Sequence, residues 1–298
     1  MPTSMARRTS IHALLAPRVA ALADVIAPAL GGDPTAVHQA RVASRRLREV
    51  LPVLVADGLG QTSGIGRKVR RVTRALGSVR ELDVAAGHFD EAVTAHPVSA
   101  AAQNATRQWL KRERATALRK ARATLTPARR ARMSSQLAAL GDGAARVTTD
   151  ETVRALQARV VRRARDVERA VDRVSGVYVP GRLHAVRIAV KRLRYALETS
   201  GAAQGSRVST QLRQLRVIQD LLGRAHDLHV LAGKLADVQL RIVARSRAAA
   251  RDLGGLAGAL DQECRQLHAA FMSRRDALLA LSASLLASTA TSGVRSAA

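Results

Sequence analysis

Apolar positions recur every three to four residues along most of the chain, and no stretch alternates cleanly with period two. That spacing is helical, because positions three and four apart share one face of an α-helix. It predicts helices near 10–28, 34–56, 64–77, 80–95, 100–125, 128–140, 151–174, 181–200, 207–222, 226–250 and 254–286. Turn-forming residues separate several of them: Gly31-Gly32-Asp33-Pro34, Gly58 to Gly66, Pro97, Pro127, Gly141-Asp142-Gly143, Pro180-Gly181 and Gly201 to Gly205. Asp33 followed by Pro34 places an N-capping side chain before a proline at the first helical position. The segment 141–150 is the best boundary between two units, 10–140 and 150–286. The small, polar ends 1–9 and 287–298 are expected to fray. The fold class expected is all-α.

The two units resemble each other. VHQARVASRRLREVL at 37–51 matches LHAVRIAVKRLRYAL at 183–197, and LGSVRELDV at 76–84 matches LGRAHDLHV at 222–230. Both matches have the same offset of 146 positions. Two matches in register argue for a duplicated unit, and two copies make a pseudo-symmetric pair of bundles.

Both copies carry a basic strip. At 100° per residue, His38, Arg41, Arg45 and Arg48 fall within about 80° of one another. Ala40, Ala43, Leu47, Val50, Leu51 and Leu54 fall opposite, and Arg46 lies on the flank. In the second copy His184, Arg187, Lys191 and Arg194 form the strip, with Arg192 on the flank. A second ridge precedes each Leu-Gly. Arg67, Arg70, Arg71 and Arg74 span about 100° of a helix. Only Arg213 and Arg216 match it in the second copy, where Gln214 and Asp220 replace Lys68 and Arg74. Arg80 follows the first Leu-Gly. Like charges at this spacing cost a helix some tenths of a kcal/mol per pair, so a repeated strip implies an anion that compensates. One strip is about 15 Å long, which suits an extended anion better than a single phosphate.

Composition sharpens this picture. The 298 residues carry 49 Lys and Arg against 23 Asp and Glu, a net charge of +26, so the partner expected is a polyanion. Arg outnumbers Lys by 44 to 5, which codon bias can explain, but codon bias does not explain the excess of bases over acids. An apolar content of 47% is enough for a core. Aromatic residues are only 2%, too few and scattered for the stacking platforms of single-strand nucleic-acid binders. Cys264 is the single cysteine, so no internal disulfide or cysteine-based zinc cluster forms. Arg18 and Asp24 interrupt the apolar stretch near the N-terminus, so it reads as an amphipathic helix and not as a signal peptide. No membrane span is expected, and residence is expected to be cytoplasmic.

The helix H-x-x-R-x-x-x-[RK]-R-L-R at His38 and His184, with the partial L-G-x-x-R-D-x-D-V-like turn after Leu76 and Leu222, resembles the CHAD family, the conserved histidine α-helical domain. The resemblance covers roughly 10–286. It implies two pseudo-symmetric four-helix units around a basic central cavity that binds inorganic polyphosphate. By resemblance, binding falls to His38, Arg41, Arg45, Arg46 and Arg48, with His184, Arg187, Lys191, Arg192 and Arg194. It also implies association with polyphosphate or storage-polymer granules. The sequence departs from the family at Glu81, where Asp is usual, and at His226 and His229, which stand where the first half has Arg80 and Asp83. The E-x-E-x-K signature of the triphosphate-tunnel enzymes often fused to this family does not occur.

Nothing in the chain spells an active site. There is no Walker loop, no G-x-S-x-G elbow and no dinucleotide fingerprint. No cofactor is expected. His226 and His229 have i, i+3 spacing that could hold a metal, but without a third ligand capping and ion pairing are the better reading. Protonation of His38 and His184 near pH 6.5 would strengthen an anion site. The function expected is non-catalytic polyphosphate binding. The alternatives are a nucleic-acid-binding basic helical protein and a scaffold on a granule or anionic membrane.

Overall fold

The computed structural model describes residues 10–56, 63–144, 149–205 and 208–294. Among these there are eleven helices and no strand: α1 Ile11–Gly31, α2 Pro34–Ala56, α3 Ser63–Ala75, α4 Gly77–Ala95, α5 Ala100–Thr124, α6 Pro127–Ala144, α7 Thr149–Val171, α8 Pro180–Gln204, α9 Ser209–Ile242, α10 Arg247–Met272 and α11 Arg275–Val294.

Local signals set many of the ends. Ser10, Ser99 and Ser246 each accept a backbone N–H of the first turn of α1, α5 and α10. Asp33 Oδ1 accepts from Thr35 N at 2.7 Å and from Ala36 N at 3.2 Å, starting α2 beside Pro34. Gly32 closes α1 at φ 105°, a left-handed conformation that suits glycine. Arginines of α5 complete that corner: Arg114 Nη2 donates to Gly32 O at 2.8 Å and Arg122 Nε to Leu30 O at 2.7 Å. These guanidiniums satisfy helix-end carbonyls, so some of the bases serve the fold itself.

The C-terminal third departs from the periodicity reading. The break expected between 222 and 226 is absent, and α9 runs unbroken through Gly223. A glycine inside a helix costs about 1 kcal/mol. The continuous buried stripe of Leu215, Ile218, Leu222, Ala225, Leu228, Leu231, Leu235 and Val238 outweighs it. The helices expected at 226–250 and 254–286 instead divide at Val243–Ser246 and at Ser273-Arg274. Gly254, Gly255 and Gly258 lie inside α10, whose stripe from Ala249 to Phe271 is buried. The tail expected from 287 is helical as far as Val294, while 1–9 and 295–298 lie outside the described residues. So does 145–148, the middle of the expected boundary, and so do 57–62 in the Gly58 to Gly66 turn.

Two hydrophobic cores result. One joins α1 to α6 with Val153 and Leu156 of α7, Ala203, the second half of α9 and most of α10. The other joins the rest of α7 with α8, the first half of α9, Phe271 and α11. α9 therefore belongs to both. The helices α2 and α8 that carry the repeated strips pack against each other, as do α4 and α9. By length and composition α1 is apolar enough to cross a membrane. Seven of its residues, from Ile11 to Leu30, are buried, and it packs on α2 and α6.

Candidate anion-binding groove

Each strip puts its apolar side into a core and its bases toward the other helix. Val37, Ala40, Leu47 and Val50 of α2 are buried, as are Val186, Ala189, Val190 and Leu193 of α8. The remaining faces bring Arg41 and Arg45 of α2 near Arg187 and Lys191 of α8, with Arg80 of α4 beside them. The electrostatics record this crowding. Burial, then Arg45, Arg80 and Arg187, lower the Arg41 guanidinium to about 10. Burial, then Arg45, Arg187, Arg41 and Arg194, lower the Lys191 ammonium to about 7. The charges that act on it most strongly are all arginines. Burial, then Arg80 and Lys191, push His38 below its ordinary value.

A cavity of about 530 Å³ opens beside this cluster, between α2, α3, α7 and α8. Arg45, Arg48, Arg70, Arg159, Arg163, Lys191 and Arg192 line it. Its one acid, Glu49, is buried and accepts from Arg159 Nε at 2.6 Å. Among the described residues, Arg45, Arg48, Arg70, Lys191 and Arg192 have no carboxylate partner. Burial and then Arg70 lower the Arg48 guanidinium, with Glu49 opposing, so α2 and α3 face each other with like charges across the groove. This wall can hold an oxyanion through charge-assisted hydrogen bonds. It offers no nucleophile–base pair and, among the described residues, no group of three His, Cys, Asp or Glu arranged to hold a metal.

The repeated Leu-Gly has a steric role. A Cβ at Gly77 would lie 3.1 Å from Arg41 Nη1, and that nitrogen donates to Thr73 O at 2.8 Å. At Gly223 the corresponding approach, by Arg187 Nε, is 4.0 Å. Each motif arginine thus lies over its motif glycine. The acids next to the turn exchange partners between halves. Glu81 pairs with Lys234 at 2.8 Å, and Asp227 lies 3.9 Å from His88. Residues 81 and 227 differ by 146, and so do 88 and 234.

The histidines behave differently from the sequence-based expectation. His184 Nδ1 and His226 Nδ1 are 3.1 Å apart, so one ring donates to the other and the two cannot both be protonated there. Burial, then Arg187 and His184, take His226 down to about 4, and burial and Arg187 lower His184. Without an anion, His38, His184 and His226 are uncharged at neutral pH. His229 is exposed.

Other bases of the strips and ridges lie elsewhere. Arg46 and Arg216 line a hollow of about 770 Å³ beside α1, with Arg18 and Glu198. Arg194 Nε donates to Gln219 at 2.8 Å, and its Nη1 pairs with Glu198. Arg74 lines a separate hollow with Trp109 and Lys234. Arg67, Arg71 and Arg213 are exposed. Arg159 and Arg163 entered the groove without a signal in the repeat, because their counterparts 146 positions earlier are Ala13 and Pro17. Their i, i+4 spacing on α7 is the trace they leave in the sequence.

An all-helical bundle with a groove lined mainly by bases at the junction of two similar strips defines the class. The sequence profile of the CHAD domain family matches residues 13–236, and the chain belongs to that family. An uncharacterized protein of Mycobacterium tuberculosis, matched in two strains, is 28% identical over 201 residues, covering 64% of this chain. The chain spans 38% of the length of these curated relatives. The crystal structure of the CHAD domain from the plant Ricinus communis superposes with a TM-score of 0.66 at 22% identity, covering 95% of this chain and 96% of that one. PptA from Streptomyces chartreusis gives a TM-score of 0.66 at 16% identity, covering 88% and 96%. At these identities the two structures share the fold.

Proposed function

We propose that this chain binds inorganic polyphosphate in the groove between α2, α3, α7 and α8, and does not cleave it. The observation that carries this reading is the convergence of both motif copies on bases without acid partners, Arg45 and Arg48 from one and Lys191 and Arg192 from the other. Assembling like charges around a cavity is unfavourable unless an anion neutralises them, and a chain of phosphates supplies charge along the whole groove. Membership in a family that relates to polyphosphate supports the same anion. Attachment to polyphosphate or storage granules in the cytoplasm would follow from such binding. Nucleic acid fits less well, because the one aromatic residue lining the groove, Tyr195, is 4% exposed and offers no stacking face.

The test is competition at physiological salt. Labelled long-chain polyphosphate is displaced by unlabelled polyphosphate, duplex DNA or single-stranded RNA. Polyphosphate is expected to compete best and to be recovered at its original length, with or without Mg²⁺. Equal displacement by DNA or RNA would make the protein a general polyanion binder. Release of orthophosphate that depends on groove residues would make it an enzyme.

A further inference from the structure

Lys191 differs from the other four lysines of the chain. Lys68 Nζ donates to Gln136, Lys234 pairs with Glu81, and Lys111 and Lys120 are exposed. Lys191 alone among the lysines lines the basic groove, forms no ion pair among the described residues, and has arginines of two helices around it: Arg41 and Arg45 on α2, Arg187 and Arg194 on its own helix. Arg48, Arg70 and Arg192 line the same cavity.

We propose that Lys191 is a modification site, at which the groove arginines hold the phosphate of an acyl phosphate while the lysine amine takes its acyl group. The Nζ lone pair attacks the acyl carbon and forms an N–C bond. The bond from that carbon to the phosphate oxygen breaks, the electron pair leaves with the phosphate, and the ammonium proton passes to water. The products are an amide and inorganic phosphate, with no change of oxidation state. Two requirements meet at this position. The leaving group is an oxyanion, which unpaired guanidiniums bind and stabilise as its charge develops. The nucleophile must be unprotonated, and with its ammonium lowered to about 7 in the empty groove Lys191 carries far more free amine at pH 7 than an ordinary lysine, an excess that the bound phosphate reduces but does not reverse. Lower basicity also weakens a nucleophile, by analogy with thiols, so the net gain expected is roughly tenfold or more. The amide would remove a positive charge from the groove, which makes acylation a means of weakening its hold on polyanions.

The proposal requires that the groove bind phosphate groups, and does not require that the natural ligand be polyphosphate. The test incubates the full chain with acetyl phosphate at pH 7 and follows acetylation of all five lysines by peptide mass spectrometry. Lys191 is expected to react at least about tenfold faster than Lys111 and Lys120. Its advantage should fall when p-nitrophenyl acetate, which has no phosphate, is the donor, and should also fall in Arg45→Gln and Arg192→Gln variants that remain folded by circular dichroism. Orthophosphate should slow the reaction at Lys191 alone. A rate at Lys191 no faster than at the exposed lysines would overturn the proposal. So would an equal preference for Lys191 with both donors, which would show a reactive amine without phosphate recognition. Long-chain polyphosphate is run as a separate protectant. Its failure to protect Lys191 while orthophosphate succeeds would count against the function proposed above and leave this site standing.

Discussion

The two motif copies differ in what holds their arginines. In the first, Arg41 is tied to the backbone at Thr73 O, and α3 stops at Ala75. Among the described residues Arg45 and Arg48 form no ion pair, although Glu49, itself held by Arg159, acts on Arg48 from nearby. In the second, α9 does not break. Arg187 lies 3.6 Å from Asp227, and Arg194 pairs with Glu198. The same sequence pattern therefore gives an open basic strip in one half and a partly neutralised one in the other. An arginine already paired with a carboxylate contributes less to an incoming anion, because that pair must be broken or shared first. Sequence likeness thus locates the two strips, while the acids on neighbouring helices set how much of each is available.

The largest effect expected follows from that difference. Reversal of Arg41, Arg45 and Arg48 to Glu should weaken polyphosphate binding on the order of 100-fold or more, as several charged contacts of about 1.5–3 kcal/mol are lost. Reversal of Arg187, Lys191 and Arg194 should cost clearly less. Reversal of Arg129, Arg130 and Arg132 on α6 should cost least, although the formal charge change is similar. Fluorescence anisotropy across a salt series checks the order, with circular dichroism to establish folding. Equal losses in all three variants would reduce the protein to a diffuse polycation.

A smaller effect is expected from pH. An anion in the groove raises the Lys191 pKa from about 7, so binding takes up a proton. Affinity should be insensitive to this group below pH 7 and fall by up to about tenfold per unit above it, until the bound-state pKa is reached. Lys191→Arg, which stays charged, should flatten that limb. Stability moves the other way. The fold disfavours the charged lysine, so the penalty is full below pH 7 and disappears above the ordinary lysine value of about 10.4. Lys191→Met should therefore raise Tm by a few degrees at pH 6 and by less at pH 10. A binding curve flat from pH 6 to 9 in the unaltered chain would show that Lys191 does not meet the anion.

The smallest effect separates the two glycines. Gly223→Ala puts a Cβ at ordinary contact distance inside a continuous helix and should stabilise by about 0.5–1 kcal/mol. Gly77→Ala brings a Cβ to 3.1 Å from Arg41 Nη1, so the guanidinium must give by a few tenths of an ångström against its hydrogen bond to Thr73 O. It should gain little or lose stability, and weaken binding a few-fold. Thermal melts of the two variants check the contrast, and equal gains in both would remove the steric role assigned to Gly77.

The all-helical class and the residues of both strips were legible in the sequence, because helical periodicity and the 146-residue offset are local patterns. The cap at Asp33 and the start of α8 at Pro180 were legible for the same reason. The helix ends after 222 were not. Gly223 fell in the gap expected between 222 and 226 and Gly254 at the start of the last expected helix, yet each lies within a buried apolar stripe that tertiary packing rewards more than glycine costs. Arg159 and Arg163 were missed because they lie outside the duplicated motifs and join the groove only when α7 packs beside α2. The lowering of His38 and His184 was not legible, because it depends on burial and on which arginines the fold brings close, and spacing along one helix does not carry that information.

The central claim is that both motif copies serve one groove. Isothermal titration with a short polyphosphate, only long enough to span one strip, tests it most directly. One binding event per chain is predicted, weakened by Arg45→Glu in the first half and by Arg192→Glu in the second. Two independent events per chain, each removed by a substitution in one half and untouched by the other, would contradict it.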